Sequence, residues 1–73
     1  MIRELDVVAL AQSLPDYRLE AGDVGTVVMV HGDGGYEVEF ATLSGDTIAV
    51  VTLPADSVRP LRRREIAHAR EVA

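Results

Sequence analysis

Hydrophobic residues in this sequence fall into short runs rich in β-branched side chains, separated by glycine, proline and small polar residues about every ten positions. Such spacing is typical of short strands joined by tight turns. We expect five strands, near residues 6–10, 26–31, 36–40, 47–53 and 58–61. Residues 12–22 lack a persistent period and are expected to form a long loop between the first two strands.

The third of these runs has the clearest alternation of apolar and polar side chains. Tyr36, Val38 and Phe40 would share one face of a strand, while Glu37 and Glu39 would point to the other. The glutamates are therefore expected to face solvent or a basic partner.

The runs at residues 26–31 and 47–53 are apolar on both faces. They provide more apolar surface than the core of so small a domain needs, which suggests an interface with a partner or a second copy. Five strands, one long early loop, tight hairpins and a short turn at residues 54–57 predict an all-β fold, a small five-stranded SH3-like barrel. An OB fold fits less well, because it usually carries a helix between its third and fourth strands, and residues 41–46 are too few to form one.

The last twelve residues differ from the rest of the chain. Residues 62–73 contain no glycine or proline and consist largely of good helix formers, with a thin apolar stripe at Ile66, Ala69 and Val72. We expect a barrel over residues 1–61, followed by an arginine-rich tail over residues 62–73. This tail would form a short C-terminal helix or fray, because so short an isolated helix is marginal in water.

Charge divides the chain at nearly the same place. The 73 residues carry a net charge of −5 and include no lysine and no cysteine. Residues 1–58 hold two arginines and ten acidic residues, whereas residues 59–73 hold five arginines and two acidic residues. An acidic barrel repels phosphate, so nucleic-acid binding is disfavoured. The candidate residues for a contact with nucleic acid or with another partner are the arginines Arg59, Arg62, Arg63 and Arg64.

Several classes of protein are disfavoured by what the sequence lacks. The absence of cysteine excludes disulfides and thiolate chemistry. No apolar run approaches the roughly 20 residues of a membrane span, and residues 1–6 lack the apolar core of a secretory signal. We therefore expect a cytoplasmic protein with no membrane association.

The side chains that could support chemistry have ordinary explanations. His31 and Asp33 flank a glycine in a turn, where an aspartate commonly bonds to nearby backbone. His68 is too far along the chain from His31 to give a zinc-site spacing. The pair Glu37 and Glu39 fits a solvated strand face. We expect no catalysis by this chain alone, no metal and no cofactor.

Binding residues are easier to nominate than catalytic ones. Tyr17 lies in the long loop, where an aromatic side chain can contact a ligand or pin the loop to the barrel. Together with Tyr36, Glu37 and Glu39 it forms our candidate protein interface.

Parts of the sequence resemble known families. Gly25 and Val27, in the run from residue 22 to residue 28, are similar to the KOW-type turn of SH3-like barrels in ribosomal proteins, transcription elongation factors and the nitrile hydratase β subunit. Over residues 1–61 the chain resembles a family of small bacterial proteins known as domain of unknown function 4926. The segments that carry this resemblance are residues 4–10, Leu19, and residues 22–28, 36–40, 47–53 and 58–61. The resemblance implies an SH3-like fold and no particular activity.

Three functions remain open from the sequence. The first is a non-catalytic protein-binding module, in its sharpest form an antitoxin- or immunity-like neutraliser of a neighbouring protein, with a protein partner or self-association. The second is a KOW-like module associated with nucleic acid through the arginine cluster. The third is an accessory subunit of a larger enzyme, such as a nitrile hydratase-like complex.

Overall fold

A computed structural model describes residues 1–72 of the chain and shows an antiparallel sheet of five strands. Across the sheet the strands follow the order β4-β3-β2-β1-β5. Their bounds are β1 Val7–Leu10, β2 Val24–Val30, β3 Tyr36–Ala41, β4 Thr47–Leu53 and β5 Val58–Pro60. The prediction of an all-β fold with five short strands is confirmed.

Two short 3₁₀ helices interrupt the connections between strands. The first, Pro15–Tyr17, lies inside the long β1–β2 loop, which the sequence predicted as irregular. The second, Ala55–Ser57, occupies the expected turn before β5. Pro15 stands at the first position of the first 3₁₀ helix. Its ring fixes φ near the helical value and it has no N–H that needs a partner, so it starts the helix at little cost in free energy.

One face of the sheet, the inner face, carries the hydrophobic core. Val38 and Phe40 of β3 are buried on it as the alternation predicted, and Tyr36 packs against the same core. The other buried members are Val8, Leu10, Leu19, Val27, Val51, Leu53 and Val58. All five strands contribute to this face or its margin, so core packing sets the register of the sheet.

Gly25 allows the close approach of β2 to β3. A Cβ atom at this position would lie 2.7 Å from Val38 Cγ1 and 2.8 Å from Phe40 Cε1. Any side chain here would displace the core of the sheet, which gives a packing reason for glycine at this position.

The two edges of the sheet differ. β5 has three residues, and two of them are Arg59 and Pro60. β4 has seven residues and includes no charged residue, glycine or proline. Charges and proline commonly protect an edge from pairing with other strands, so β5 is protected in a way that β4 is not.

The described part of the C-terminal tail, residues 62–72, contains no helix. The expectation of a short C-terminal helix is therefore wrong for the part of the tail that the structure describes, and Ala73 lies outside it. The tail is also not simply frayed, because two of its side chains bond back to the sheet domain. These contacts hold the segment in an extended path, with a turn near residues 63–64.

Candidate functional site

The face of the sheet opposite the core combines exposed apolar residues with carboxylates, and we call it the outer face. Its apolar members are Val7, Val24, Val28, Met29 and Val50, each 39–50% exposed. The carboxylates are those of Glu37 and Glu39 on β3, between the apolar residues of β2 and those of β4.

Register places these side chains in rows across the strands. Glu39 lies opposite Thr26 of β2 on one side and opposite Val50 of β4 on the other, and Thr26 in turn lies opposite Val7. Because directly paired residues point to the same side of a sheet, these four side chains form one row.

A bulge in β2 adds an apolar side chain beside the second glutamate. The pairing with β3 passes from Val27 opposite Val38 to Met29 opposite Glu37, so Val28 is the extra residue. Val28 and Met29 are both exposed there. The bulge thus widens the apolar part of the outer face next to Glu37.

Each glutamate of the outer face makes a polar contact with a side chain of the same domain. Thr47 Oγ1 donates to Glu39 Oε2 at 2.7 Å. Glu37 Oε1 lies 3.5 Å from His31 Nε2, which makes no hydrogen bond within residues 1–72. These contacts orient the carboxylates and leave both on the surface, where they can meet a basic group.

The four candidate interface residues do not lie on one surface. Glu37 and Glu39 share the outer face, whereas Tyr36 points to the inner face and packs against the core. Tyr17 ends the first 3₁₀ helix in the β1–β2 loop and is 47% exposed. Only the two glutamates therefore belong to the outer face.

The arginine cluster is also divided. Arg59 Nη1 and Nη2 donate to the two carboxylate oxygens of Glu65, at 2.9 and 2.6 Å. Arg62, Arg63 and Arg64 lie on the surface in the turn between these two partners. One of the four cations is thus already neutralised within the chain.

A second ion pair, which the sequence analysis did not identify, fixes the far end of the tail. Arg70 Nε donates to Asp23 Oδ1 at 2.9 Å, and Arg70 Nη2 donates to Asp23 Oδ2 at 2.5 Å. The same Nη2 donates to the carbonyl oxygen of Arg18 at 3.0 Å, and Nη1 lies 3.6 Å from Glu20 Oε2. We call this set of contacts the Arg70 clasp.

The carboxylate of the Arg70 clasp is positioned by its own loop. The backbone N–H of Glu20 donates to Asp23 Oδ2 at 2.8 Å, and the N–H of Asp23 donates back to the carbonyl oxygen of Glu20. Arg18 has a positive φ of 59° at the end of the 3₁₀ helix. The loop therefore presents a carboxylate and a carbonyl oxygen together to a guanidinium.

The carboxylates at both ends of the tail have depressed pKa values. The hydrogen bond from Arg70 holds the pKa of Asp23 below its usual value, against an opposing effect of burial. The hydrogen bond from Arg59, followed by that from the Arg62 backbone N–H, lowers the pKa of Glu65 from 4.5 to about 2. Asp23 and Glu65 therefore bind the arginines as charged carboxylates, and these ion pairs hold the tail in place.

In the turn that contains His31 and Asp33, the aspartate bonds to nearby backbone as expected for a turn residue. Asp33 Oδ1 accepts a hydrogen bond from the N–H of Gly35 at 3.1 Å, so this aspartate stabilises the hairpin turn. Among residues 1–72, no three histidine or acidic side chains lie close enough together to hold a metal ion. In the same part of the chain no helix has the length and apolar character needed to cross a membrane.

Comparison with known proteins identifies a family. The family described as domain of unknown function (DUF4926) matches residues 4–60, which comprise all five strands and leave out the tail. Neither the curated proteins nor the solved structures include a significant match. The chain belongs to the DUF4926 family.

Proposed function

We propose that this protein is a non-catalytic protein-binding module built on an SH3-like barrel. Support for the barrel comes from five short antiparallel strands, a long β1–β2 loop, tight hairpins and a 3₁₀ turn before the last strand. These are the features on which the sequence-based interpretation of an SH3-like fold depends.

The observation that carries the proposal is the composition of the outer face. Five exposed apolar side chains, three of them in β2, share this face with two carboxylates and with Thr26, Thr47 and Thr52. The apolar share is larger than is usual for the solvated face of an antiparallel sheet. Leaving clustered apolar surface in contact with water is unfavourable in free energy, and binding a partner removes this cost by burying the surface.

Charge indicates the kind of partner. The protein has a net charge of −5. The two charged residues of β3, Glu37 and Glu39, lie on the outer face and are both acidic. A partner with apolar residues flanked by arginine or lysine would match this face in both respects. The sharpest form of the proposal is an antitoxin- or immunity-type protein that covers the functional surface of a basic protein encoded nearby.

Co-expression with the products of neighbouring genes tests this proposal. We expect one of them to co-purify with the full chain and to dissociate as salt is raised, because opposite charges steer the association. Met29→Gln should weaken the complex at least several-fold, whereas Leu43→Gln should not. Leu43 is a suitable control because it is exposed in the β3–β4 turn, away from the outer face.

A complex that tolerates Met29→Gln as well as Leu43→Gln would show that the outer face is not the binding surface. If no neighbouring product binds and the chain also fails to capture any basic protein at low salt, the function proposed here is wrong.

The alternative of a KOW-like nucleic-acid module is supported only by the surface position of Arg62, Arg63 and Arg64. Three cations beside an acidic sheet would give weak, strongly salt-dependent binding. Titration with single-stranded and duplex RNA at two salt concentrations separates this alternative from protein binding. An accessory role in a larger enzyme would instead appear as co-purification of an enzyme whose activity depends on this chain.

A further inference from the structure

The acceptor groups that hold Arg70 form a site of their own on the β1–β2 loop. The guanidinium of Arg70 contacts the carboxylate of Asp23, the carbonyl oxygen of Arg18 and the carboxylate of Glu20. We call these three acceptors the guanidinium receptor. The side chains of Asp23 and Arg70 are only 20% and 27% exposed, so their contact is better shielded from water than an ordinary surface ion pair.

The guanidinium receptor is shaped by hydrogen bonds that do not involve the tail. Glu20 and Asp23 exchange two hydrogen bonds across the loop. The N–H of Gly22 donates to the carbonyl oxygen of Leu10 at 2.9 Å, which joins the loop to the end of β1. All of these groups belong to residues 10–23. The loop should therefore keep the three acceptors in place when Arg70 leaves.

Arg70 reaches the receptor from a segment with few other attachments. Residues 66–72 contribute no strand or helix, and no residue among them takes part in the backbone–backbone hydrogen bonds of the described loops and turns. The family match covers residues 4–60, so it contains the whole receptor and leaves out the arginine that fills it. The receptor thus belongs to the sheet domain, and its occupant belongs to the tail.

The position of the receptor links it to the outer face. Asp23 directly precedes Val24, the first residue of β2. Val24 is one of the exposed apolar residues of the outer face. A protein seated on the outer face would therefore have the receptor at the border of its contact area.

We propose that the guanidinium receptor binds an arginine side chain of the basic partner, and that Arg70 occupies it in the free protein as an intramolecular competitor. This inference rests on the proposed function, since the partner is the basic protein that covers the outer face. The geometry selects arginine over lysine. Nε–H and one Nη2–H meet the two oxygens of Asp23, and Nη2 also donates to the carbonyl oxygen of Arg18. An ammonium group cannot reproduce this planar arrangement of donors.

Occupation by Arg70 is thus an autoinhibitory contact. An arginine tethered to the same chain has an effective concentration in about the millimolar range, so a ligand from outside must compete with it. The exchange replaces bonds with equivalent bonds, and the Asp23 carboxylate is paired before and after. A partner that also gains the apolar contacts of the outer face can displace the tail, whereas a short peptide should bind only weakly.

A peptide supplied in trans tests the receptor independently of the partner. The probe is a synthetic heptapeptide with the sequence of residues 66–72, added to the full chain and to its Arg70→Gln variant. The backbone amide signals of Glu20 and Asp23 in NMR spectra report binding. We expect the variant to bind the peptide at least tenfold more tightly than the unmodified chain, because its receptor is empty. A peptide carrying Arg70→Lys should bind the variant several-fold more weakly than the arginine peptide.

Arg63→Gln is the matched control, since it removes the same charge from the tail outside the Arg70 clasp. It should bind the peptide as weakly as the unmodified chain does. Equal binding by the Arg70→Gln and Arg63→Gln variants, or equal binding of the arginine and lysine peptides, would show attraction by general charge and would overturn the proposal. No binding to the Arg70→Gln variant would overturn it as well.

The complex with a neighbouring gene product tests whether the partner uses the receptor. We expect Arg70→Gln to strengthen this complex several-fold and Asp23→Asn to weaken it, while Arg63→Gln should change it little. A complex that Met29→Gln weakens, but that neither Arg70→Gln nor Asp23→Asn alters, would uphold the proposed function and overturn the role of the receptor. If no neighbouring product binds, the proposed function fails, and the peptide experiment alone decides whether the receptor accepts an arginine in trans.

Discussion

The five-stranded sheet and the C-terminal tail are held in place by different kinds of interaction. The sheet is held by backbone pairing and by a core that includes nine buried apolar residues. Over residues 62–72 the tail contributes no strand or helix, and it is attached through Arg59–Glu65 and the Arg70 clasp. The same boundary separates the part of the chain that matches the family, residues 4–60, from the part that does not.

This difference implies that the two regions respond to different conditions. Apolar burial depends little on salt or on pH, while exposed and half-exposed ion pairs are weakened by salt and by protonation of their carboxylates. We therefore expect the tail to detach under conditions in which the sheet remains folded.

The largest effect should come from the core. Phe40→Ala removes a buried ring of β3 and should lower the free energy of unfolding by about 3–5 kcal/mol. For a domain of this size that loss is comparable with the whole stability. Urea unfolding followed by circular dichroism measures it, with Leu43→Ala, 97% exposed, as a control expected to change little. A nearly neutral Phe40→Ala would show that the core is packed elsewhere.

A smaller effect should come from the Arg70 clasp. Asp23→Asn keeps the shape of the side chain and removes its charge, so we expect a loss of about 1 kcal/mol. Amide signals of residues 66–72 in NMR spectra should move towards free-chain values while those of Val38 and Phe40 stay in place.

Asp16→Asn is the control for this change, since it removes the same charge from the same loop outside the Arg70 clasp. If the tail signals respond equally to both substitutions, general charge and not the specific ion pair holds the tail.

The smallest effect should be local and dependent on pH. Because the folded pKa of Glu65 is depressed from 4.5 to about 2, its contribution is present above pH 4.5 and is lost as the pH falls towards 2. The amide of Arg62, which donates to Glu65 Oε1, reports this protonation in an NMR titration. We expect a midpoint near pH 2, absent in Glu65→Gln. A midpoint near 4.5 would mean that Arg59 does not hold this carboxylate in solution.

The sheet could be predicted from the sequence because its signals are local. Alternation placed Val38 and Phe40 in the core and Glu37 and Glu39 outside, and glycine-rich turns fixed the hairpins. The excess of apolar residues in two strands indicated exposed apolar surface, which the structure shows on the outer face.

The tail could not be predicted in the same way because its contacts are long-range. Helix propensity is a weak preference in a short segment, and two ion pairs outweigh it here. Asp23 and Arg70 lie 47 positions apart, and no local pattern links a particular arginine to a particular aspartate at that separation. The β2 bulge and the first 3₁₀ helix likewise depend on packing that the sequence pattern does not display.

The Arg70 clasp also has a consequence for the order of folding. The loop that holds Asp23 takes its shape only when β1 and β2 are paired. The N–H of Leu10 donates to the carbonyl oxygen of Asp23, and the N–H of Gly22 donates to the carbonyl oxygen of Leu10. Bringing Asp23 and Arg70, 47 positions apart, into contact has an entropic cost. In the unfolded chain no other contacts are present to offset this cost. Docking of the tail should therefore be the last step of folding, so that a fluorophore in the tail would report completion of the sheet.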